Sequence, residues 1–198
     1  AFNAETGALS GIWRGEFVSV GWGGQGAGSF NPKARPVSLA QDLSLYALPD
    51  DEAAWPLLPV MNKEHPVNPN PLYPKNLGYQ FLGYSFDDVF VPTFSYRLGD
   101  MGVEDVSIAV AKGDKAILHR ALSFDSPKDN ILHFRALVGE IERISHISYK
   151  TPELQLTIPK GPVLLRPFGS NDKTFELLLT LTLPKGKSNW ALDYELLR

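Results

Sequence analysis

Cysteine is absent from this 198-residue chain. Its absence removes disulfides, thiolate metal sites, covalent haem attachment through a Cys-x-x-Cys-His pattern and Cys nucleophiles in one step. Long apolar runs are missing too: no stretch approaches the roughly 20 apolar residues of a membrane-spanning helix, and no basic amphipathic helix is visible. Nor is charge of either sign gathered. Nineteen Lys and Arg stand against 22 Asp and Glu, for a net charge of -3, and the basic residues are scattered rather than striped. A nucleic-acid partner is thereby disfavoured, because phosphate binding needs a concentrated basic face. Helical periodicity is scarce as well, since 17 glycines and 16 prolines break every apolar helical period within about two turns.

What the sequence does hold is alternation. Phe175, Leu177, Leu179, Leu181 and Leu183 share one face of an extended segment, while Glu176, Thr180 and Thr182 share the other. That is the period of a half-buried strand. Leu154, Leu156 and Ile158 repeat it against Glu153, Gln155 and Thr157, as do Trp190, Leu192, Tyr194 and Leu196 against Asp193 and Glu195. The series continues through Val106, Ile108 and Val110, through Leu118, Leu122 and Phe124, and through Leu132, Phe134 and Ala136. Turn signals at 112–115, 125–130, 159–161, 169–172 and 184–186 separate these runs. Paired strands of this kind need a second sheet or closure to be stable. The expected fold is therefore all-β, an antiparallel two-sheet sandwich or a distorted barrel. With 43% hydrophobic residues and a length that buries roughly 70% of the unfolded surface, residues 1–198 read as a single domain.

Residues 78–198 carry the regular strands, whereas 21–77 hold most of the prolines and a glycine cluster from Gly21 to Gly28. Such a long irregular excursion is the natural place for a functional or partner-bound loop. Within it only Leu43–Leu48 and Val60–Met61 suggest short strands, and the acidic stretch Asp50–Ala54 suggests one helical turn stopped by Pro56. The start, Ala1-Phe2-Asn3, has neither an initiator Met nor a charged and apolar leader, so a piece of a longer chain is expected.

Three segments together resemble a known type of domain. They are Ala1 to Leu9 leading into Trp13-Arg14-Gly15-Glu16-Phe17, then Ala54-Trp55-Pro56, then Gly78 to Tyr84 followed by Pro92 to Tyr96 and Gly102 to Asp105. Their order and spacing resemble an accessory β-domain of exported bacterial proteins that also carry c-type cytochrome modules or propeller-type sugar or sorbosone dehydrogenases. The likeness covers the first half of the chain and transfers no catalytic residue. It implies export to the periplasm or beyond, a cytochrome c or dehydrogenase propeller as neighbouring domain or subunit, and an association with carbohydrate. It implies no cofactor within this domain. Gly7 is expected to take the positive φ of the turn in that pattern, with Thr6 bonding back to the backbone.

Several residues invite a chemical reading. The glycines around Trp22 suggest a phosphate cradle, but a preceding strand, a following helix and a Lys-Ser/Thr ending are all missing. Trp13, Trp22, Trp55, Tyr73, Tyr79 and Tyr84 offer rings that stack on sugars, with Arg14, Asp87 or Asp88 to bond hydroxyls; the same rings equally serve to fill a core. Trp22 and Trp55, set among Gly and Pro, are expected at the surface. His119, His133 and His146 recur on neighbouring strands, yet His133 is expected to face solvent and no carboxylate stands beside the histidines in sequence, so no metal is assigned. His65, between Glu64 and Pro66, stands alone. Asp87 and Asp88 read as a hairpin tip; Ca²⁺ binding there lacks the alternating ligands that would follow.

The functional expectation is a non-catalytic accessory or interaction domain of a larger exported redox or carbohydrate-active protein, with Trp22, Trp55, Arg14, Tyr84, Asp87 and Asp88 as ligand-contacting residues. The competing expectation is a free-standing carbohydrate-binding module or a mutarotase-like or lectin-like sandwich. They part on whether the tryptophans line a concave pocket or lie flat against protein.

Overall fold

Side chains alternate across a strand, so the long alternating runs can bury one face only by laying two sheets together. The computed structural model, which describes residues 1–21, 29–113, 115–158, 161–170 and 172–197, shows this arrangement. Seven short strands come first: β1 (Phe2–Asn3), β2 (Ala8–Leu9), β3 (Gly11–Ile12), β4 (Val18–Gly21), β5 (Ser29–Pro32), β6 (Val37–Ser38) and β7 (Leu45–Tyr46). After a single 3-10 turn at Lys75–Leu77 the long strands begin: β8 (Tyr79–Phe86), β9 (Pro92–Leu98), β10 (Met101–Lys112), β11 (Lys115–Ser126) and β12 (Asn130–Gly139). The series ends with β13 (Glu142–Arg143), β14 (Ser148–Lys150), β15 (Leu154–Thr157), β16 (Val163–Pro167), β17 (Phe175–Leu183) and β18 (Gly186–Leu196).

Eight strands form one sheet in the order β13-β14-β15-β18-β11-β10-β9-β8, and four form the other in the order β16-β17-β12-β7. All pairings are antiparallel, and neither sheet closes on itself, so the sandwich form of the expected fold holds and the barrel form does not. The core lies between the sheets. Tyr96, Val103, Leu122, Phe124, Leu156 and Tyr194 of the larger sheet meet Leu132, Phe134, Leu177, Leu179 and Leu181 of the smaller. Leu9, Ile12 and Val37 from the small ribbons β1–β2 and β3–β6 extend this core at one side.

Two faces differ from the alternation read in the sequence. Ile108 and Val110 are exposed on the outer face, because Val103 and Asp105 lie opposite Phe124 and Leu122 and take the core side of β10. On β17, Leu178 and Glu176 are buried although they alternate with the core residues. A second cluster of Leu48, Trp55 and Leu178 covers that outer side, joined by Tyr46, Ala53 and Leu164. Part of the proline-rich excursion thus packs over the smaller sheet, which is why β17 reads half-buried in sequence while Glu176 and Leu178 on its outer face are buried and Thr182 stays exposed.

The excursion itself is more ordered than expected. β5 and β6 lie within it, whereas Val60–Met61 form no strand. Residues Asp50–Ala53 form a turn rather than a helix: Asp50 Oδ1 accepts from the amides of Glu52 and Ala53 at 2.9 and 2.7 Å. That carboxylate satisfies the local amides by itself, which removes any need for a helix to follow.

Candidate interaction surface

β8 and β9 form a hairpin at the edge of the larger sheet, with the tip at residues 87–91 where the paired aspartates placed it. Asp87 makes the turn. Its Oδ1 accepts from the amides of Val89 and Val91 at 3.0 and 2.7 Å, and its backbone amide donates to the Val91 carbonyl at 3.2 Å. Asp87 is therefore occupied by backbone, while Asp88 is exposed beside it. Phe90 sits at φ 62, a left-handed conformation that a bulky side chain rarely adopts and that costs on the order of 1–3 kcal/mol. That backbone presents a ring 81% exposed.

From this tip a train of aromatic contacts runs back into the core. Phe86 lies 6.4 Å from Phe90 and 5.4 Å from Tyr84, and Tyr84 lies 6.3 Å from Phe94. Phe94 stacks on Phe2 at 4.0 Å, and Phe2 reaches Phe81 and Tyr96 at 6.4 and 6.3 Å. Tyr96 is 1% exposed, yet Tyr84 and Phe86 are 62% and 57% exposed. The cross-strand pairs Phe81–Tyr96, Tyr84–Phe94 and Phe86–Pro92 put these rings on the core side of the sheet. A one-residue bulge at Leu82 keeps Tyr84 and Phe86 on that side despite the odd spacing from Phe81. The core face of the larger sheet thus continues outward with no described residues covering its end, and the exposed part is aromatic. Clustered exposed apolar surface of this kind marks an interaction site more often than scattered single residues do.

The structure brings Tyr84, Asp87 and Asp88 together on this hairpin and separates the other expected ligand residues from it. Trp55, expected at the surface, is 4% exposed; its Nε1 donates to the Leu43 carbonyl at 2.9 Å, and Tyr46 meets its ring edge-on. It lies flat against protein because its large apolar area completes the cover of Leu178. Arg14 is exposed on the turn after β3, and no described contact joins it to the hairpin. Trp22 lies outside the described residues, as does the rest of the glycine cluster to Gly28. Trp13, Tyr73 and Tyr79 brace backbone: Trp13 Nε1 donates to the Phe17 carbonyl, Tyr73 Oη accepts from the Leu43 amide and donates to the Pro56 carbonyl, and Tyr79 Oη donates to the Ala4 carbonyl. Burial raises the hydroxyl pKa of Tyr73 to about 12 and that of Tyr79 further, so both stay protonated donors. Phe2, Phe86, Phe90 and Phe94 belong to the surface but were not singled out by sequence. The signal was the uncharged run Tyr79–Phe86 with apolar residues at both parities.

The histidines do not converge. His119 lies on β11 of the larger sheet, His133 on β12 of the smaller, and His146 is exposed in a loop. Among the described residues no group of three His, Asp or Glu side chains is placed to hold a metal ion. His119 does have a carboxylate partner, Asp193 Oδ1 at 2.6 Å from Nδ1, supplied by the cross-strand register rather than by sequence proximity. His133, expected to face solvent, is buried at 5% exposure because the excursion covers its side of β12. Burial lowers its pKa; nearby Asp51 acts in the opposite sense and Arg166 in the same sense. The folded state therefore holds it neutral while the unfolded chain binds a proton below about pH 6.5. Its contribution to stability is full above that pH and is lost as pH falls from there toward the lower folded value. Thermal unfolding followed from pH 7.5 to 5 is expected to show a decline that His133→Asn reduces; equal declines in both proteins would refute it.

Two buried ion networks stand near the core. Arg120 Nε donates to both Asp105 carboxylate oxygens at 3.0 and 3.1 Å, and its Nη2 donates to the Gly7 carbonyl at 2.8 Å. Burial, the largest single effect, would lower the Arg120 pKa, but the Asp105 charge and its hydrogen bonds, with Tyr194 and Tyr96, together outweigh it and raise the net value. Gly7 has φ 69 as the turn pattern requires, which aims its carbonyl at this guanidinium, whereas the Thr6 hydroxyl, expected to bond back to the backbone, is buried without a hydrogen-bond partner among the described residues. In the second network Glu176 accepts from Arg135 at 2.8 Å and from Arg166 at 2.7 Å, and Arg135 also pairs with Asp42. Both networks tie the irregular N-terminal half to the sheets.

The chain is an open antiparallel sandwich with an aromatic hairpin at the edge of its larger sheet. Comparison with known proteins adds no family: the chain matches no protein-family model, no curated protein and no solved structure.

Proposed function

We propose that this is a non-catalytic accessory domain of a larger exported bacterial redox or carbohydrate-active protein, and that it docks through the β8–β9 hairpin. The observation that carries the reading is the exposed run of Tyr84, Phe86 and Phe90 continuing the core face of the larger sheet. Aromatic side chains supply large contact area at low entropic cost and dominate the energetics of interfaces. Trp55 is packed inward and lines no ligand pocket, so the sugar-stacking alternative loses one of its two tryptophans. The exported setting, and a cytochrome c or dehydrogenase propeller as neighbour, come from the resemblance of residues 1–105.

The test is hydrogen exchange of the chain alone and mixed with a c-type cytochrome domain or a dehydrogenase propeller domain. Residues 87–91 are expected to gain protection, and the tip variant Val89→Ser/Phe90→Ser is expected to weaken the complex at least tenfold, as loss of an interface hot spot does. Binding unchanged in the tip variant would overturn the docking site. Tight saturable binding of an oligosaccharide, followed by tryptophan fluorescence, would favour the sugar-binding reading instead.

A further inference from the structure

A sheet edge exposes unpaired backbone amides and carbonyls, and proteins guard such edges with charge, proline or shortness. Three of the four edges of the two sheets are guarded in this way. β13 is two residues long, Glu142 and Arg143, both exposed; β16 carries Arg166 and Pro167; β7 is two residues long. The fourth edge is β8, eight residues reading Tyr-Gln-Phe-Leu-Gly-Tyr-Ser-Phe, with no charge and no proline. Its Gln80, Leu82, Tyr84, Ser85 and Phe86 are exposed, and no described residue pairs with its outer side.

The strand is complementary to itself when read antiparallel about the 82/83 midpoint. Tyr79 then falls opposite Phe86, Gln80 opposite Ser85, Phe81 opposite Tyr84 and Leu82 opposite Gly83. Because the bulge keeps Tyr79, Phe81, Tyr84 and Phe86 on the core side, aromatic meets aromatic on that face, while Gln80 meets Ser85 and Leu82 meets Gly83 on the other. Opposite residues of antiparallel strands share a face, so the pattern is the one required by a two-fold axis through the strand centre. The bulge also matches itself, two residues against two. Gly83 has nothing within 4 Å of where a side chain would begin, which leaves room for Leu82 of the other copy.

We infer that β8 pairs with β8 of a second copy, joining two eight-stranded sheets into one across a two-fold axis. The contact is closed: each copy uses the one edge of its two main sheets that is unguarded among the described residues, and the opposite edge of the larger sheet, β13, ends in charge, so the pairing stops at a dimer. The two aromatic faces become one continuous platform on the same side of the joined sheet. The dimer uses the hairpin surface proposed above for docking, but it requires only the backbone edge and no other protein.

The absence of cysteine makes the register directly testable. In Gln80→Cys/Ser85→Cys the two thiols of one chain lie about 16 Å apart along the strand, beyond disulfide reach, whereas the thiol at position 80 of one copy sits opposite the thiol at position 85 of the other. Mild oxidation is expected to yield a covalent dimer in this variant and none in Gln80→Cys alone. Sedimentation at micromolar concentration is expected to give twice the chain mass for the unmodified protein. Gln80→Lys/Ser85→Lys is expected to raise the dimer dissociation constant at least tenfold, and mixing it with Gln80→Glu/Ser85→Glu to restore a mixed dimer. A monomer at all concentrations, a cross-link in Gln80→Cys alone, or no rescue on mixing would overturn the inference. None of these substitutions touches Val89 or Phe90, so failure of the dimer and failure of docking by the hairpin tip are read separately.

Discussion

Asp105→Ala is expected to lower the unfolding free energy by about 3–5 kcal/mol, the cost of leaving a partnered charge alone in a core. Asp105 and Arg120 are 1% and 2% exposed at their side chains and sit diagonally across β10 and β11. The guanidinium lies 5.1 Å from the Phe134 ring, facing the other sheet, and it also donates to the Gly7 carbonyl in the first turn of the chain and bonds Tyr194. Arginine cannot shed its proton at any accessible pH, so the variant must either bury a bare cation or open the sandwich to water. At this chain length the loss corresponds to about 6–20 °C in Tm. Asp105→Leu/Arg120→Met, which removes both charges, is expected to recover most of it, because a well-packed apolar pair avoids the desolvation cost. Chemical denaturation of wild type, Asp105→Leu, Arg120→Met and Asp105→Leu/Arg120→Met closes the cycle and measures the coupling. An Asp105→Ala protein within 1 kcal/mol of wild type would refute the assignment of this pair as a structural element.

Trp55→Ala is expected to cost about 3–5 kcal/mol as well, on the scale of large-to-small changes in cores. The ring covers the outer side of β17 at Leu178, its Nε1–H is bonded to the Leu43 carbonyl, and the Arg135 guanidinium lies 5.9 Å away. Its removal lets water reach both the small cluster and the Arg135–Glu176 pair. Trp55→Phe retains most of the packing but leaves the Leu43 carbonyl unpaired, and should fall between, at a loss of about 1–3 kcal/mol. A binding-site tryptophan behaves in the opposite way, with affinity lost and stability kept. Unfolding curves that coincide for Trp55→Ala and wild type would return this residue to the list of candidate ligand contacts.

Alternation in Phe175–Leu183, Leu154–Ile158 and Trp190–Leu196 reports a local property, the side to which successive side chains point, and it identified strands and core residues correctly. The same alternation could not say what lies beyond the outer face. His133 and Glu176 read as solvent-facing because their neighbours in sequence face the core; the segment that buries them, Leu48–Trp55, comes from far along the chain. Trp55 was misplaced for the same reason. Glycine and proline around a tryptophan describe an irregular backbone, and an irregular backbone packed against a sheet buries its large rings as a helix would. The partner of His119 was hidden because Asp193 is brought beside it by strand pairing alone.

Composition and period, by themselves, determined that the chain is all-β and cysteine-free, where its principal strands run, and that Asp87 and Asp88 mark a hairpin tip. These are properties of one residue and its immediate neighbours. The tertiary structure decided that the sheets stay open, that the proline-rich excursion forms part of the core, and that β8 is the edge left unguarded. It also decided that the core face of the larger sheet runs on past its cover, so that Tyr84, Phe86 and Phe90 are exposed while Tyr96 and Tyr79 of the same sheet face are buried. Which aromatic residue is core and which is surface depends on where the opposing sheet ends, a matter of packing between distant segments that no local pattern carries.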